Sequence, residues 1–335
     1  MEILFFLPVF FLFSIIGSLG YKKFAIRNQV LAIPNRRTLH KNPIPKGGGV
    51  VFSILSVCSV LLVWLECKLP VELLWVLVVG GLTATIFGIL DDMRNIRASI
   101  KLTIQILLSA WTVYWLEGYE MVLTDWIPSY LSTPLISFLL VWMMNGYNFI
   151  DGIDGMAASG AVFISSTLAL VIFLTVEHIE IIYIFIFIAV TVSGFLIFNW
   201  PKASIFMGDS GSIFLGFTFG ALLVFTVTNG ILSVWTWLAV FGYIFADISV
   251  TQIARIILVK NWWQAHRSHA YQNLARITGS HLKVISSVTI YHLFWILPLT
   301  LWSALVPEFA YVAVFFAVTP AMMIAYKYGP VFSSS

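Results

Sequence analysis

The sequence predicts an all-α integral membrane protein, a polytopic bundle of about eleven transmembrane helices, read as one domain over residues 1–335. Three observations predict it. Apolar runs of about 18 residues or more recur along the chain, each long enough to cross a hydrocarbon core of roughly 30 Å. Sixty per cent of the residues are hydrophobic and only 10% are charged, against about 25% charged in soluble domains. The basic residues also segregate between alternate connections. Backbone groups in lipid must be satisfied within each span, and the alternating pattern of a membrane barrel is absent, so the spans read as helices.

The expected spans are 3–20, 48–65, 72–90, 100–116, 133–149, 157–176, 181–198, 212–228, 231–253, 284–305 and 309–326. The first begins "MEILFFLPVFFLF" and has no basic residues ahead of it, so it reads as a retained span and not a cleaved signal. With these spans, 17 of the 18 Lys and Arg fall on one side and only Lys68 falls opposite. Basic connections mark the cytoplasmic face. This predicts an outside N-terminus and a cytoplasmic C-terminus. Cys58 and Cys67 are the only cysteines and form no metal-binding spacing. No nucleic-acid partner is expected, and homo-oligomerisation is left open.

The acidic residues sort as well. All eight Glu lie on the outer side, whereas Asp91, Asp92, Asp151, Asp154, Asp209 and Asp247 lie at or near the inner side. Orientation does not demand this, because acidic residues contribute little to topology. Short carboxylates gathered among cations suit a metal ion and phosphates.

Four inner-face clusters carry the candidate chemistry. In "GILDDMRNIRASIK", adjacent Asp91 and Asp92 close the third span, where carboxylates are costly unless a cation or proton is shared. In "NGYNFIDGIDGMA", Asn145, Asn148, Asp151 and Asp154 recur every three residues. Gly146, Gly152 and Gly155 suggest a broken helix with backbone near a ligand. In "FNWPKASIFMGDSGSIFLG", Asp209 stands between glycines at the start of a span, where it can cap the helix or help seat a phosphate. Asn199 and Lys202 add an amide and a cation. In "AHRSHAYQNLAR", His266 and His269 flank Arg267, a set suited to an anion. Lys46, before a run of three glycines, can touch a phosphate or base. His40, His178, His281 and His292 lack such company and read as solvated or core histidines. The pair Gly216 and Gly220 reads as helix packing.

Together the four clusters resemble the polyprenyl-phosphate N-acetylhexosamine-1-phosphate transferases, glycosyltransferase family 4. "LDD" with Lys101 and Gln105, "NxxNxxDxxDG", "FNWPKASIFMGDSGS" and "HRSHAYQ" occur in family order over nearly the whole chain. The last motif looks like the branch that starts O-antigen, lipopolysaccharide or related surface glycans. The run of consecutive histidines of the muramyl-pentapeptide branch is missing. The resemblance implies that undecaprenyl phosphate attacks a UDP-N-acetylsugar, giving undecaprenyl-diphosphate-sugar and UMP. It implies Mg²⁺, with Mn²⁺ as a substitute, held by Asp209 with Asn148 as second ligand. Asp91 and Asp92 would orient or deprotonate the lipid phosphate and Lys101 would hold it. Asp151 and Asp154 would lie by the nucleotide, Asp154 toward the uracil. Lys46, Asn145 and Asn199 would bind substrate, and His266, Arg267 and His269 would meet the sugar phosphate. The alternative is a proton- or cation-coupled secondary transporter, for which midplane carboxylates and an inverted repeat would be expected.

Overall fold

The computed structural model describes residues 2–34, 42–94, 96–116, 129–175, 178–258 and 267–330. Helix α1 (Phe6–Arg27) leads into a small antiparallel hairpin of β1 (Leu31–Ala32) and β2 (Ile44–Pro45), with Leu31 opposite Pro45. Then follow α2 (Gly49–Cys67), α3 (Val71–Trp75) and α4 (Gly81–Arg94), the last two joined by a π-helical segment (Val76–Gly80) into one rod. Next come α5 (Ala98–Trp115), α6 (Ser129–Ile150), α7 (Met156–Thr175), α8 (Ile179–Asn199) and α9 (Asp209–Thr228). The C-terminal third holds α10 (Val234–Val240), α11 (Gly242–Leu258), α12 (Ala270–Thr278), α13 (His281–Tyr291), α14 (Leu297–Leu305) and α15 (Ala310–Tyr328). The protein is an all-α membrane bundle.

Among the described residues, eight helical rods are long and apolar enough to cross a membrane, and α10 with α11 makes a ninth that is bent by 78°. The two further spans expected from sequence, 100–116 and 133–149, correspond to α5 and α6, helices of 18 and 22 residues. They fall below the same apolarity because they carry Lys101, Gln105, Asn145 and Asn148, the polar side chains that approach the site.

Helix α9 is the axis of the bundle, with 89% of its apolar window buried. It is hydrophobic all round, as expected of a helix surrounded by others. Gly216 and Gly220 let α6 approach closely: a Cβ on Gly216 would stand 2.6 Å from the Met144 Cα. By contrast α1, with 17% of its window buried, turns most of its Phe, Leu and Ile side chains outward. Lipid accepts them at no cost.

The contact between α4 and α9 sets the site. A Cβ on Gly88 would lie 2.4 Å from the Ser210 Cα and 2.5 Å from the Asp209 carbonyl oxygen. Those atoms are backbone and cannot swing aside. Gly88→Ala is therefore expected to part α4 from the start of α9, at a cost of about 1–3 kcal/mol for overpacking. A lowered thermal midpoint in detergent, read by intrinsic tryptophan fluorescence, checks this; an unchanged midpoint would contradict the close approach.

Candidate active site

The first backbone N–H groups of a helix have no partner within it. At the start of α9 the N-cap residue is Gly208, whose φ of +74° lies in the left-handed region and which has no side chain to cap with. Asp92, one residue from the adjacent Asp91 near the end of α4, supplies the cap. Its Oδ1 accepts the Asp209 N–H at 3.1 Å and its Oδ2 the Ser210 N–H at 3.2 Å. A Cβ on Gly208 would lie 2.5 Å from Asp92 Oδ2, so glycine is needed there for space as well as for conformation. The positive end of the α9 dipole favours the negative charges of Asp92 and Asp209.

Asp209 gathers side chains from two other helices. Lys101 of α5 donates from Nζ to Asp209 Oδ2 at 3.1 Å and forms an ion pair with Asp91 Oδ2. Asp91 Oδ1 accepts the Ile96 N–H at 2.6 Å, which closes the turn between α4 and α5. Asn148 of α6 donates from Nδ2 to Asp209 Oδ1 at 2.9 Å and to Ser212 Oγ at 2.9 Å. One turn earlier on α6, Asn145 makes a reciprocal amide pair with Gln105 of α5, at 2.8 and 3.3 Å. This pair fixes the register of the helices that carry Lys101 and Asn148.

A cavity of about 310 Å³ opens beside Asp209. Its wall includes Lys46, Asp92, Asp151, Asp154 and Arg267, closed by Gln272, Arg276 and His281. Lys46 reaches the wall because the strand before it pairs with β1 and the chain around it pairs with the loop ahead of α9. Phe206 N–H donates to the Pro45 carbonyl at 2.8 Å and Gly48 N–H to the Phe206 carbonyl at 2.9 Å. Asp151 and Asp154 lie on the turn between α6 and α7. Burial, followed by the Asp209 and Asp92 carboxylates, raises the Asp151 carboxyl well above the usual carboxylate range. Asp154 Oδ2 accepts the Ala203 N–H at 3.0 Å.

The structure thus brings Lys46, Asp92, Asp151, Asp154, Asp209 and Arg267 to one cavity. Asp91, Lys101 and Asn148 adjoin it through Asp209. Three expected binding residues have other partners. Asn145 is committed to Gln105 and the Val141 carbonyl. Asn199 touches the wall but is 1% exposed. Its amide joins two loops, donating to the Ile205 carbonyl at 2.9 Å and accepting the Gly155 N–H at 3.0 Å. His269 is 2% exposed, 3.6 Å from Asp247, with its ring against Phe149 and Tyr271. It stands at the buried start of α12 and faces Asp247 instead of the cavity. There Asp247 of α11 repeats the device seen at α9, accepting the Ala270 and Tyr271 N–H groups at 2.9 and 3.3 Å. His266 lies outside the described residues.

Sequence reasoning missed Gln272 and His281. In sequence His281 has no chemical neighbour and reads as a solvated or core histidine; folding sets its ring 3.3 Å from Asp154. Arg276, which with His266, Arg267 and His269 is among the residues of 254–283 most typical of chemistry, lines the cavity as well.

Among the described residues, no three His, Cys, Asp or Glu side chains are arranged to hold a metal ion. A cage of protein ligands of the zinc kind is therefore not what this site offers. Mg²⁺ normally takes one or two carboxylates, keeps several waters and shares the phosphates of its substrate. The all-oxygen donors around Asp209 fit that pattern, as does the crowding of Asp92, Asp151 and Asp209, which a cation would relieve. Asn148 presents its NH₂ to Asp209 in this state and would have to turn its amide over to offer an oxygen.

Residues 74–227, from α3 to the end of α9, match the model of Glycosyl transferase family 4. A probable undecaprenyl-phosphate N-acetylglucosaminyl 1-phosphate transferase of Bacillus subtilis is 27% identical over 276 residues, covering 78% of this chain and 74% of the relative. A phospho-N-acetylmuramoyl-pentapeptide-transferase of a Wolbachia species from Brugia malayi is 30% identical over 250 residues, covering 69% and 73%. A decaprenyl-phosphate N-acetylglucosaminephosphotransferase of Mycolicibacterium smegmatis is 28% identical over 299 residues, covering 78% and 72%. The matched stretch contains Asp91, Asp92, Lys101, Asn148 and Asp209, the residues that interlock in space. The chain belongs to glycosyl transferase family 4, the family of polyprenyl-phosphate sugar-1-phosphate transferases.

Proposed function

We propose that the protein transfers an N-acetylhexosamine-1-phosphate, or a deoxy derivative, from a UDP-sugar to undecaprenyl phosphate. The reaction runs at the cytoplasmic face of a bacterial inner membrane and initiates an O-antigen, lipopolysaccharide or related surface glycan. A phosphate oxygen of the lipid bonds to the β-phosphorus of the donor. The bond from that phosphorus to the bridging oxygen breaks, and UMP leaves.

The observation that carries the reading is the placement of Asp209 between two differently built sides. On one side it meets Lys101 and Asp91 at the ends of α5 and α4, beside outward-facing Leu90, Met93 and Ile100. That side suits a phosphate carried on an isoprenoid. On the other it borders the cavity with Lys46, Arg267 and Arg276, which suits a sugar nucleotide. Two polyanions repel, so a protein that joins them must neutralise charge and hold the reacting atoms in line. Lys101 would hold the lipid phosphate, with Asp91 orienting the lysine. Arg267 and Lys46 would neutralise the diphosphate, and Asp151 and Asp154 would line the nucleoside end. Bound at Asp209, Mg²⁺ or Mn²⁺ would supply Lewis-acid polarisation of phosphoryl oxygens.

The names of the relatives support the lipid acceptor and the phosphosugar, in both the N-acetylglucosamine and the muramoyl-pentapeptide versions. The loss of consecutive histidines in "HRSHAYQ" favours a simple N-acetylhexosamine. The transporter alternative finds no support, because the interlocked carboxylates gather at one end of the bundle and the relatives carry transferase names.

Purified protein is expected to release UMP from one member of a radiolabelled UDP-sugar panel only when undecaprenyl phosphate is present. EDTA should stop the reaction and Mg²⁺ restore it. Label that never enters the lipid phase with any UDP-sugar would overturn the reading.

A further inference from the structure

We propose that His281 is a positioning residue for the donor end of the cavity: by accepting the Asp154 backbone N–H at Nδ1 it fixes Asp154 on its turn, so that the carboxylate keeps the orientation that a bound sugar nucleotide meets. This deepens the function proposed above and rests on it.

His281 is the first residue of α13. Ser280 takes the capping role there, its Oγ accepting the Lys283 N–H at 3.3 Å. The imidazole is not needed as a cap and turns toward the loop between α6 and α7. Residues four apart share a helix face, and Ile285 lands on the same loop: a Cβ on Gly155 would lie 3.2 Å from Ile285 Cδ1. The first turn of α13 is therefore docked on residues 151–155 by an apolar contact and a ring together.

The ring addresses Asp154 with one nitrogen. Nδ1 accepts the Asp154 backbone N–H at 3.4 Å and lies 3.3 Å from Asp154 Oδ2. The same Oδ2 accepts the Ala203 N–H at 3.0 Å. Asp154 is thus held at its carboxylate by an irregular loop, residues 200–208, and at its backbone by a regular helix. A loop alone positions a ligand-facing carboxylate poorly; a helix behind it supplies the rigidity that recognition needs. His281 also lines the cavity, so a second role is conceivable on geometry, a direct contact from the far edge of the ring through Nε2. The two roles differ in which nitrogen matters. An asparagine side chain reaches about as far as Nδ1, and a glutamine about as far as Nε2.

The test compares His281→Ala, His281→Asn and His281→Gln. For each variant, donor KM, acceptor KM and kcat are measured with UDP-sugar and undecaprenyl phosphate, UDP binding by calorimetry and the thermal midpoint by fluorescence. His281→Ala should raise donor KM about threefold to tenfold, as for loss of an ordinary hydrogen bond, with acceptor KM and the midpoint unchanged. His281→Asn should recover most of the loss and His281→Gln should not. An unchanged donor KM in His281→Ala, an equal rise in acceptor KM, or recovery by Gln without Asn would overturn the assignment. Should the alanine variant not fold, the Asn and Gln variants decide the matter alone. Wild-type protein that neither turns over nor binds UDP would remove the functional reading and this assignment with it. An active wild type indifferent to residue 281 would remove only the assignment.

Discussion

Asp209→Ala abolishes transfer while the bundle stays folded: that is the largest effect expected of any single substitution. Asp209 touches both sides of the site. It accepts from Lys101 at 3.1 Å and from Asn148 at 2.9 Å and borders the cavity. Its removal takes away the proposed metal carboxylate and the anchor that holds Lys101 at the reaction point. Removing a single preorganised electrostatic group costs about 10²–10³ in turnover, and loss of the metal would add to this. UMP release should therefore fall by roughly 10³ or more. Stability should change little. The α9 start keeps its cap from Asp92, because the bonds made there are to backbone N–H groups. Lys101 keeps Asp91 and is about one third exposed. Asp209→Asn should be nearly as inactive, since the amide preserves shape but not charge. Turnover above a tenth of wild type in the alanine variant would remove Asp209 from the centre of the site.

Asp92→Ala should behave differently, losing stability and activity together. The adjacent carboxylates of "LDD" look equivalent in sequence, but the structure gives them separate tasks. Asp91 pairs with Lys101 and closes a turn, whereas both Asp92 oxygens are bound to the first backbone N–H groups of α9. Asp92 is 7% exposed, so water cannot readily replace it. Leaving a buried donor unpaired costs about 1–3 kcal/mol, so the two together should cost about 2–6 kcal/mol. Asp92→Asn should fall between, because one oxygen can still accept while the NH₂ faces the other N–H. The check is a thermal melt in detergent beside the UMP assay. An Asp92→Ala protein that melts like wild type but is inactive would return Asp92 to the chemistry of the lipid phosphate.

These two predictions mark where sequence reading stops. The carboxylates at 91, 92, 151, 154 and 209 were visible from sequence because charge at the end of an apolar run is expensive and needs a cause. Their partners were not visible. Asp92 caps a helix 117 residues away and Asp247 one 23 residues away, and a cap supplied from another helix leaves no local pattern. The same limit explains His269 and His281. The first stood in a promising motif and folds against Asp247; the second stood alone and folds against Asp154.

The membrane class, most of the helices and the stretches that hold the polar chemistry were legible in the amino-acid order. Hydropathy and composition are local properties, and lipid enforces them segment by segment. Folding in three dimensions settled which carboxylate caps a helix, which meets Lys101, that α10 and α11 bend by 78° and that His281 joins the cavity wall. Each of those depends on contacts between residues far apart in the chain, which form when glycines such as Gly88 and Gly208 let backbones come close.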